Sequence, residues 1–220
     1  MQLETSQLSK TAKAFKLFEI LGNRDLLTAQ HSLNVACITK VLVAHYIKTE
    51  LGKEKAFIAG LLHDIGKVKM PDYVFSNYVI DDQEEKNIIM EHPAYSKAII
   101  ERLDFDQDII NAVFQHHERF DGSGYPSGLK EFQISPAARL LGIVDSFSAI
   151  QEDRPYRKGS NVKKTVDILL QEKELFDIQM LSTFFKHINH VINLSSLEVD
   201  KYKNSSFLEG TELSKIQFIK

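Results

Sequence analysis

Cysteine is nearly missing from this chain: Cys37 is the only one in 220 residues. No internal disulfide can form and no thiolate cluster can capture a soft metal, which suits a reducing cytoplasm. Cys37 lies in an apolar helical stretch and reads as a small core filler rather than a nucleophile. Positive charge is not in excess either. A formal net charge of −3 and a pI near 6.2 argue against a coat for nucleic-acid polymers or a polybasic membrane binder. Long apolar runs are lacking: nothing in the sequence approaches the ~18 residues of a membrane-crossing helix. Met1-Gln2-Leu3-Glu4-Thr5 has no basic stretch followed by an apolar one, so no signal peptide is expected. Repeats and low-complexity segments are absent as well. What is present is 43% hydrophobic residues, enough for a buried core and most simply one domain with appendages.

The dominant hydrophobic period is helical. Leu8, Ala12, Phe15, Leu17, Phe18 and Leu21 mark a first amphipathic helix, with Gly22-Asn23 as its expected stop. Its apolar stripe is a candidate for pairing two subunits. Further helices are expected at 28–51, at 53–65 with Gly66 as terminator, from a capping box at Asp82 and Glu85 toward Glu91, and after Pro93. Others are expected at 107–117, from the cap Ser135-Pro136 through 150, at 162–171 and at 177–191. The stretch 119–134 breaks the pattern, because Asp121 to Gly128 holds three glycines and a proline and must be a loop. Ile216, Phe218 and Ile219 are candidates for a short strand or a partner-binding end. The expected division is an N-terminal helix (1–23), an all-α domain (24–190) and a C-terminal extension (191–220).

The chemistry lies in histidines and aspartates. His63-Asp64 ends an apolar helix, where an unpaired carboxylate is costly to bury. Asp145 sits among Leu140, Leu141, Ile143, Val144 and Phe147 and has the same need for a cation. His31, His92 and the doublet His116-His117 complete a set of imidazole and carboxylate donors suited to intermediate transition metals. Each has an ordinary reading alone, as a salt bridge or a helix cap; together they are too many donors for one tetrahedral ion and suit two adjacent ones. His45, His187 and His190 read as ordinary surface or core residues. The set points to a metal-dependent hydrolase.

The order His, His-Asp, His, His-His, Asp resembles the HD superfamily of metal-dependent phosphohydrolases. The strings His63-Asp64-Ile65-Gly66-Lys67, His116-His117-Glu118-Arg119-Phe120-Asp121-Gly122-Ser123-Gly124-Tyr125-Pro126 and Asp153-Arg154-Pro155-Tyr156-Arg157 look like its HD-GYP subgroup. The resemblance covers residues 24 to 185 and implies an all-helical bundle that hydrolyses cyclic di-GMP with iron or manganese. It implies a metal set of His31, His63, Asp64 and Asp145, with His92, His116 and His117 for a second ion and Asp64 bridging. Relatives with three ions carry glutamate four residues before the first histidine; Leu27 stands there, so two divalent ions are expected. Asn34 and Ser148 stand where relatives commonly have arginine and aspartate.

For such a site the expected reaction is attack of a metal-bridging hydroxide on the phosphorus, giving linear pGpG and, more slowly, GMP. Asp64 would orient that nucleophile and Lys67 would face the phosphate. Arg154 and Arg157 offer planar forks to phosphates, and Gly124 and Tyr125 a close-approaching, stacking loop. The ordinary readings are a solvated lysine and surface pairs of the arginines with Glu152 and Asp153. Two alternatives stay open: a phosphohydrolase for another nucleotide, and a module that senses cyclic di-GMP or docks a diguanylate cyclase domain with little turnover.

Overall fold

The computed structural model describes residues 8–49, 51–72, 83–153 and 158–218. Among the described residues all regular structure is helical, as the periodicity predicts. The helices are α1 (Lys10–Arg24), α2 (Leu26–His45), α3 (Gly52–Leu62), α4 (Gln83–Ile89), α5 (His92–Glu101), α6 (Gln107–Gln115), α7 (Pro136–Gln151), α8 (Val162–Gln171) and α9 (Ile178–Lys203). Short side chains fix many of the starts by accepting from orphan amides of the first turn: Ser9 for α1, Asp25 for α2, Ser135 for α7, Asn161 for α8 and Asp177 for α9.

Helix α2 is the axis of the bundle and packs against α1, α3, α7 and α9. Leu33, Val35, Ala36, Cys37, Ile38 and Leu42 are fully buried along it. By length and composition α2 could cross a membrane, but 72% of its apolar window is buried inside the protein. Its hydrophobicity serves the core. The stripe on α1 is likewise consumed within the chain, since Ala14, Phe15, Leu17, Phe18 and Leu21 all belong to that core.

Several sequence expectations change, among them the helix expected at 28–51, which instead runs from Leu26 to His45. Gly22-Asn23 does not stop α1, which runs on to Arg24; Gly22 lies inside the helix, where a Cβ would overlap Leu213. The helix carrying His63-Asp64 ends at Leu62, and the two residues form a turn leading into a 3-10 segment, Ile65–Lys69, that contains Gly66. The last helix does not end by residue 191 but continues to Lys203, burying Val191, Ser195 and Val199 along one side. Lys40 on α2 anchors that continuation through Glu198 (2.5 Å) and the Tyr202 hydroxyl (3.2 Å). Beyond it a 3-10 turn, Glu212–Lys215, seats Leu213 and Ile216 against the core, so Ile216 forms no strand. Ile219 and the Asp82 end of the expected capping box lie outside the described residues.

Candidate metal centre

Five separate pieces of chain deliver the donors to one buried spot. Helix α2 brings His31, the turn after α3 brings His63 and Asp64, the first residue of α5 is His92, the end of α6 brings His116 and His117, and α7 brings Asp145. The turn explains how adjacent residues can serve one site. His63 keeps helical angles, whereas Asp64 swings to φ −97° and ψ 3°, which leaves the helical path and aims both side chains inward. Gly66 holds this turn against α5. A Cβ there would overlap the His92 carbonyl oxygen, and Ser96 stitches the contact by accepting from Gly66 N and donating to the His63 carbonyl, each at 2.8 Å.

The donor atoms form two clusters. Those of His31, His63 and Asp64 all lie within 4.8 Å of one another, as do those of His92, His116 and His117. Asp64 joins them: its Oδ1 is 3.2 Å from His92 Nε2, and its Oδ2 is 3.4 Å from His63 Nε2 and 2.6 Å from Lys67 Nζ. Asp145 lies on the other side, 2.9 Å from His31 Nε2 and 3.9 Å from both His63 Nε2 and His117 Nδ1.

The imidazole tautomers follow from the backbone. His63, His92 and His116 each donate Nδ1–H to the carbonyl three residues earlier, Gly60 at 2.7 Å, Ile89 at 2.7 Å and Val113 at 2.6 Å. Each Nε2 is therefore a bare lone pair pointing into the site. His63 Nε2 is buried with no hydrogen-bond partner. His92 and His116 bring their Nε2 atoms within 3.2 Å, and with both protons committed at Nδ1 neither nitrogen can donate to the other. Facing lone pairs repel, so the partner this geometry calls for is a cation. The residues fit divalent metal ions.

Electrostatics agree. Burial opposes the charges on Asp64 and Asp145, yet Lys67 beside the first and His31 beside the second hold both carboxyls well below their usual range. Burial keeps His63, His116 and His117 neutral and pushes His92 down to about 4. His31 is the exception: burial acts against its protonation, but Glu152 and Asp145 outweigh it and raise it to about 10. In the unfolded chain each imidazole takes up its proton near 6.5. Between pH 6.5 and about 4 the unfolded chain thus binds more protons than the folded one, and stability must fall with pH. The His31 contribution is complete below 6.5 and is lost only as pH rises toward about 10. Thermal melts of chelator-treated protein should therefore give a lower Tm at pH 5 than at pH 7; a flat profile would show the histidines are not held neutral.

The remaining candidates line the rim. Lys67 is partly exposed, with its ammonium on Asp64. The Tyr125 ring stacks on His117 with centroids 4.8 Å apart, and burial together with Asp145 and Asp64 raises its hydroxyl so that it stays protonated. Gly124 faces the chain's own backbone: a Cβ would overlap Arg119 N and the His117 carbonyl, and Tyr125 N bonds that carbonyl at 3.2 Å. Arg154 and Arg157 lie outside the described residues. Leu27 is more than half exposed, one turn before His31. His45, His187 and His190 gather instead around Tyr46, at ring distances of 6.0, 4.1 and 6.3 Å.

Two acidic residues escaped the sequence reading. Glu118 is buried and accepts from Ser127 N (2.7 Å) and Leu129 N (2.9 Å), closing the glycine-rich loop. Its position beside His116-His117 was a signal that could have been used. Glu152, which enters the sequence analysis only in the ordinary alternative for the arginines, places Oε2 2.8 Å from His31 Nδ1. Nothing local in the sequence marks that contact, which joins residues 121 positions apart.

A family model described as HD domain matches residues 16–180. The chain belongs to the HD domain family. Curated relatives of this HD domain chain include a cyclic di-GMP phosphodiesterase of Pseudomonas aeruginosa, 31% identical over 76% of this chain and 41% of the relative. Another is a cyclic di-GMP phosphodiesterase of Thermotoga maritima, 29% identical over 85% of this chain and 53% of the relative. A 3'3'-cGAMP-specific phosphodiesterase of Vibrio cholerae is 29% identical over 84% of this chain and 43% of the relative. The chain thus spans about half the length of these relatives, or less. Among solved structures, an HDG"Y"P protein of Bdellovibrio bacteriovorus shares the fold, with TM-score 0.54 and 22% identity over 71% of this chain and 51% of that one.

Proposed function

We propose that this chain is an HD-GYP phosphodiesterase that opens cyclic di-GMP to linear pGpG, with slower hydrolysis to GMP. The observation that carries this reading is the pair of buried donor clusters joined by Asp64, with unprotonated Nε2 atoms turned inward. His31, His63, Asp64 and Asp145 would hold one divalent cation, and His92, His116 and His117 with Asp64 a second. Iron(II) and manganese(II) suit an imidazole-rich set completed by carboxylates. Two such cations, when bound, supply activated water and neutralise charge on phosphoryl oxygens. Leu27 offers no donor, which supports two ions rather than three.

The chain's own residues supply the rest. Lys67, anchored on Asp64, presents an ammonium at the edge of the site and can hold a non-bridging phosphate oxygen. Tyr125 keeps its hydroxyl proton at neutral pH and can donate it to the substrate, while its ring, braced on His117, keeps the loop in place. Gly124 serves by letting that loop lie close against 117–119. Arg154 and Arg157 would take up phosphates, as the family resemblance implies. The unpaired, buried Cys37 and the buried α2 fit a cytoplasmic place for this activity.

A second reading, turnover of a different cyclic dinucleotide, is favoured by the relative specific for 3'3'-cGAMP and by Asn34 and Ser148. A docking role draws support from Phe132, exposed beside the loop. Protein purified without oxygen and loaded with iron(II) or manganese(II) should convert cyclic di-GMP to pGpG, and a chelator should stop it. Product only from 3'3'-cGAMP would transfer the assignment to the second reading. No product from any cyclic dinucleotide, alongside tight binding, would leave a sensing or docking module.

A further inference from the structure

Among His31, His63, His92 and His116, only His31 takes its ring orientation from another side chain. The other three rings are fixed by peptide carbonyls of their own chain segment. Glu152 ends α7 in an extended conformation (φ −79°, ψ 140°), which turns its side chain back across α2. Both carboxylate oxygens are used there: Oε2 accepts from His31 Nδ1 at 2.8 Å, and Oε1 accepts from Asn34 Nδ2 at 3.3 Å. His31 and Asn34, three residues apart on α2, share the face that meets α7. The carboxylate is 11% exposed, so water competes little for it.

We propose that Glu152 is a positioning residue of the metal centre: it holds a proton on His31 Nδ1, so that Nε2, which meets Asp145 at 2.9 Å in the structure, is the nitrogen given up to a cation, while Asn34 holds the Glu152 carboxylate in place. The proposal rests on the cation-binding reading above. A carboxylate behind a ligating imidazole fixes its tautomer and raises its basicity, and removing such a partner costs about 10–100-fold in metal affinity. Asn34 gains a role by the same geometry: its Nδ2 holds Glu152 Oε1, while its Oδ1 is left buried and unpartnered.

Manganese(II) titrations of the full chain, followed by paramagnetic resonance of the free ion, test this without any turnover assay. Glu152→Ala should weaken one of two sites by about 10–100-fold and leave the other unchanged. Glu152→Gln should stay within a few-fold of wild type. Its amide oxygen still accepts from Nδ1–H, and Asn34 can rotate its amide so that the free Oδ1 receives the new N–H. In zinc-loaded protein, 15N spectra should show the His31 Nδ1–H hydrogen-bonded and slow to exchange in wild type and Glu152→Gln, but shifted and broadened by exchange with water in Glu152→Ala. Two wild-type sites in Glu152→Ala with an unchanged His31 signal would overturn the proposal. Should that variant not fold, Glu152→Gln decides: retained affinity supports the proposal and a loss beyond tenfold refutes it. A wild-type chain that takes up no manganese would instead bring down the metal reading itself.

Discussion

Asp64→Asn is expected to lower the proposed turnover of cyclic di-GMP by about three decades or more. Asp64 lies within 3.4 Å of a donor nitrogen in each cluster, whereas Asp145 reaches the second cluster only at 3.9 Å. Asparagine keeps the shape of the side chain and removes its full negative charge. It also turns an N–H₂ toward groups that must face a cation. In the proposed two-cation centre several kcal/mol of charge stabilisation would depend on this carboxylate, and about 4 kcal/mol corresponds to three decades in rate. Initial rates with manganese-loaded protein would measure this, with metal stoichiometry falling in parallel. The metal-free melt should change far less, since Lys67 is partly exposed and can turn to solvent when its partner is lost. Turnover within tenfold of wild type would remove Asp64 from the bridging role.

Gly66→Ala should produce a large structural effect from a single added methyl group. The new Cβ would overlap the His92 carbonyl and come 2.5 Å from Ser96 N, both backbone atoms that cannot rotate aside. Overpacking of this kind costs about 1–3 kcal/mol, occasionally more, and a backbone obstacle belongs at the upper end. For a chain of this size about 3 kcal/mol corresponds to a Tm lower by roughly 6–12 °C. Because α5 begins at His92, any relief of the overlap moves that histidine away from Asp64 and loosens the Ser96 bridge. Manganese affinity should therefore fall together with Tm. A variant with wild-type Tm would mean that the turn and α5 can separate freely.

How legible these features were depends on how local their causes are. Helix starts such as Ser135-Pro136 could be read because the cap and the amides it satisfies are three residues apart. The gathering of these imidazoles and carboxylates could be read because burying several such groups without partners is costly. The far half of α9 could not, since Asn193 to Glu209 looks polar until Val191, Ser195 and Val199 are seen to recur every fourth residue against the core. Gly66 looked like a helix stop, yet its small size answers to α5, thirty residues on through Ser96. Gly22 was misread for the same reason, its neighbour being Leu213. Glu152 stayed hidden because its partners, His31 and Asn34, are more than a hundred positions away.

The peptide carbonyls behind His63, His92 and His116 have an evolutionary corollary. A main-chain oxygen is present whatever amino acid occupies the position, so point mutation cannot delete the element that steers those three rings. His31 has no such insurance. Drift among descendants of this chain can retune the centre one codon at a time at Glu152 and Asn34, while the opposite half stays as the backbone made it.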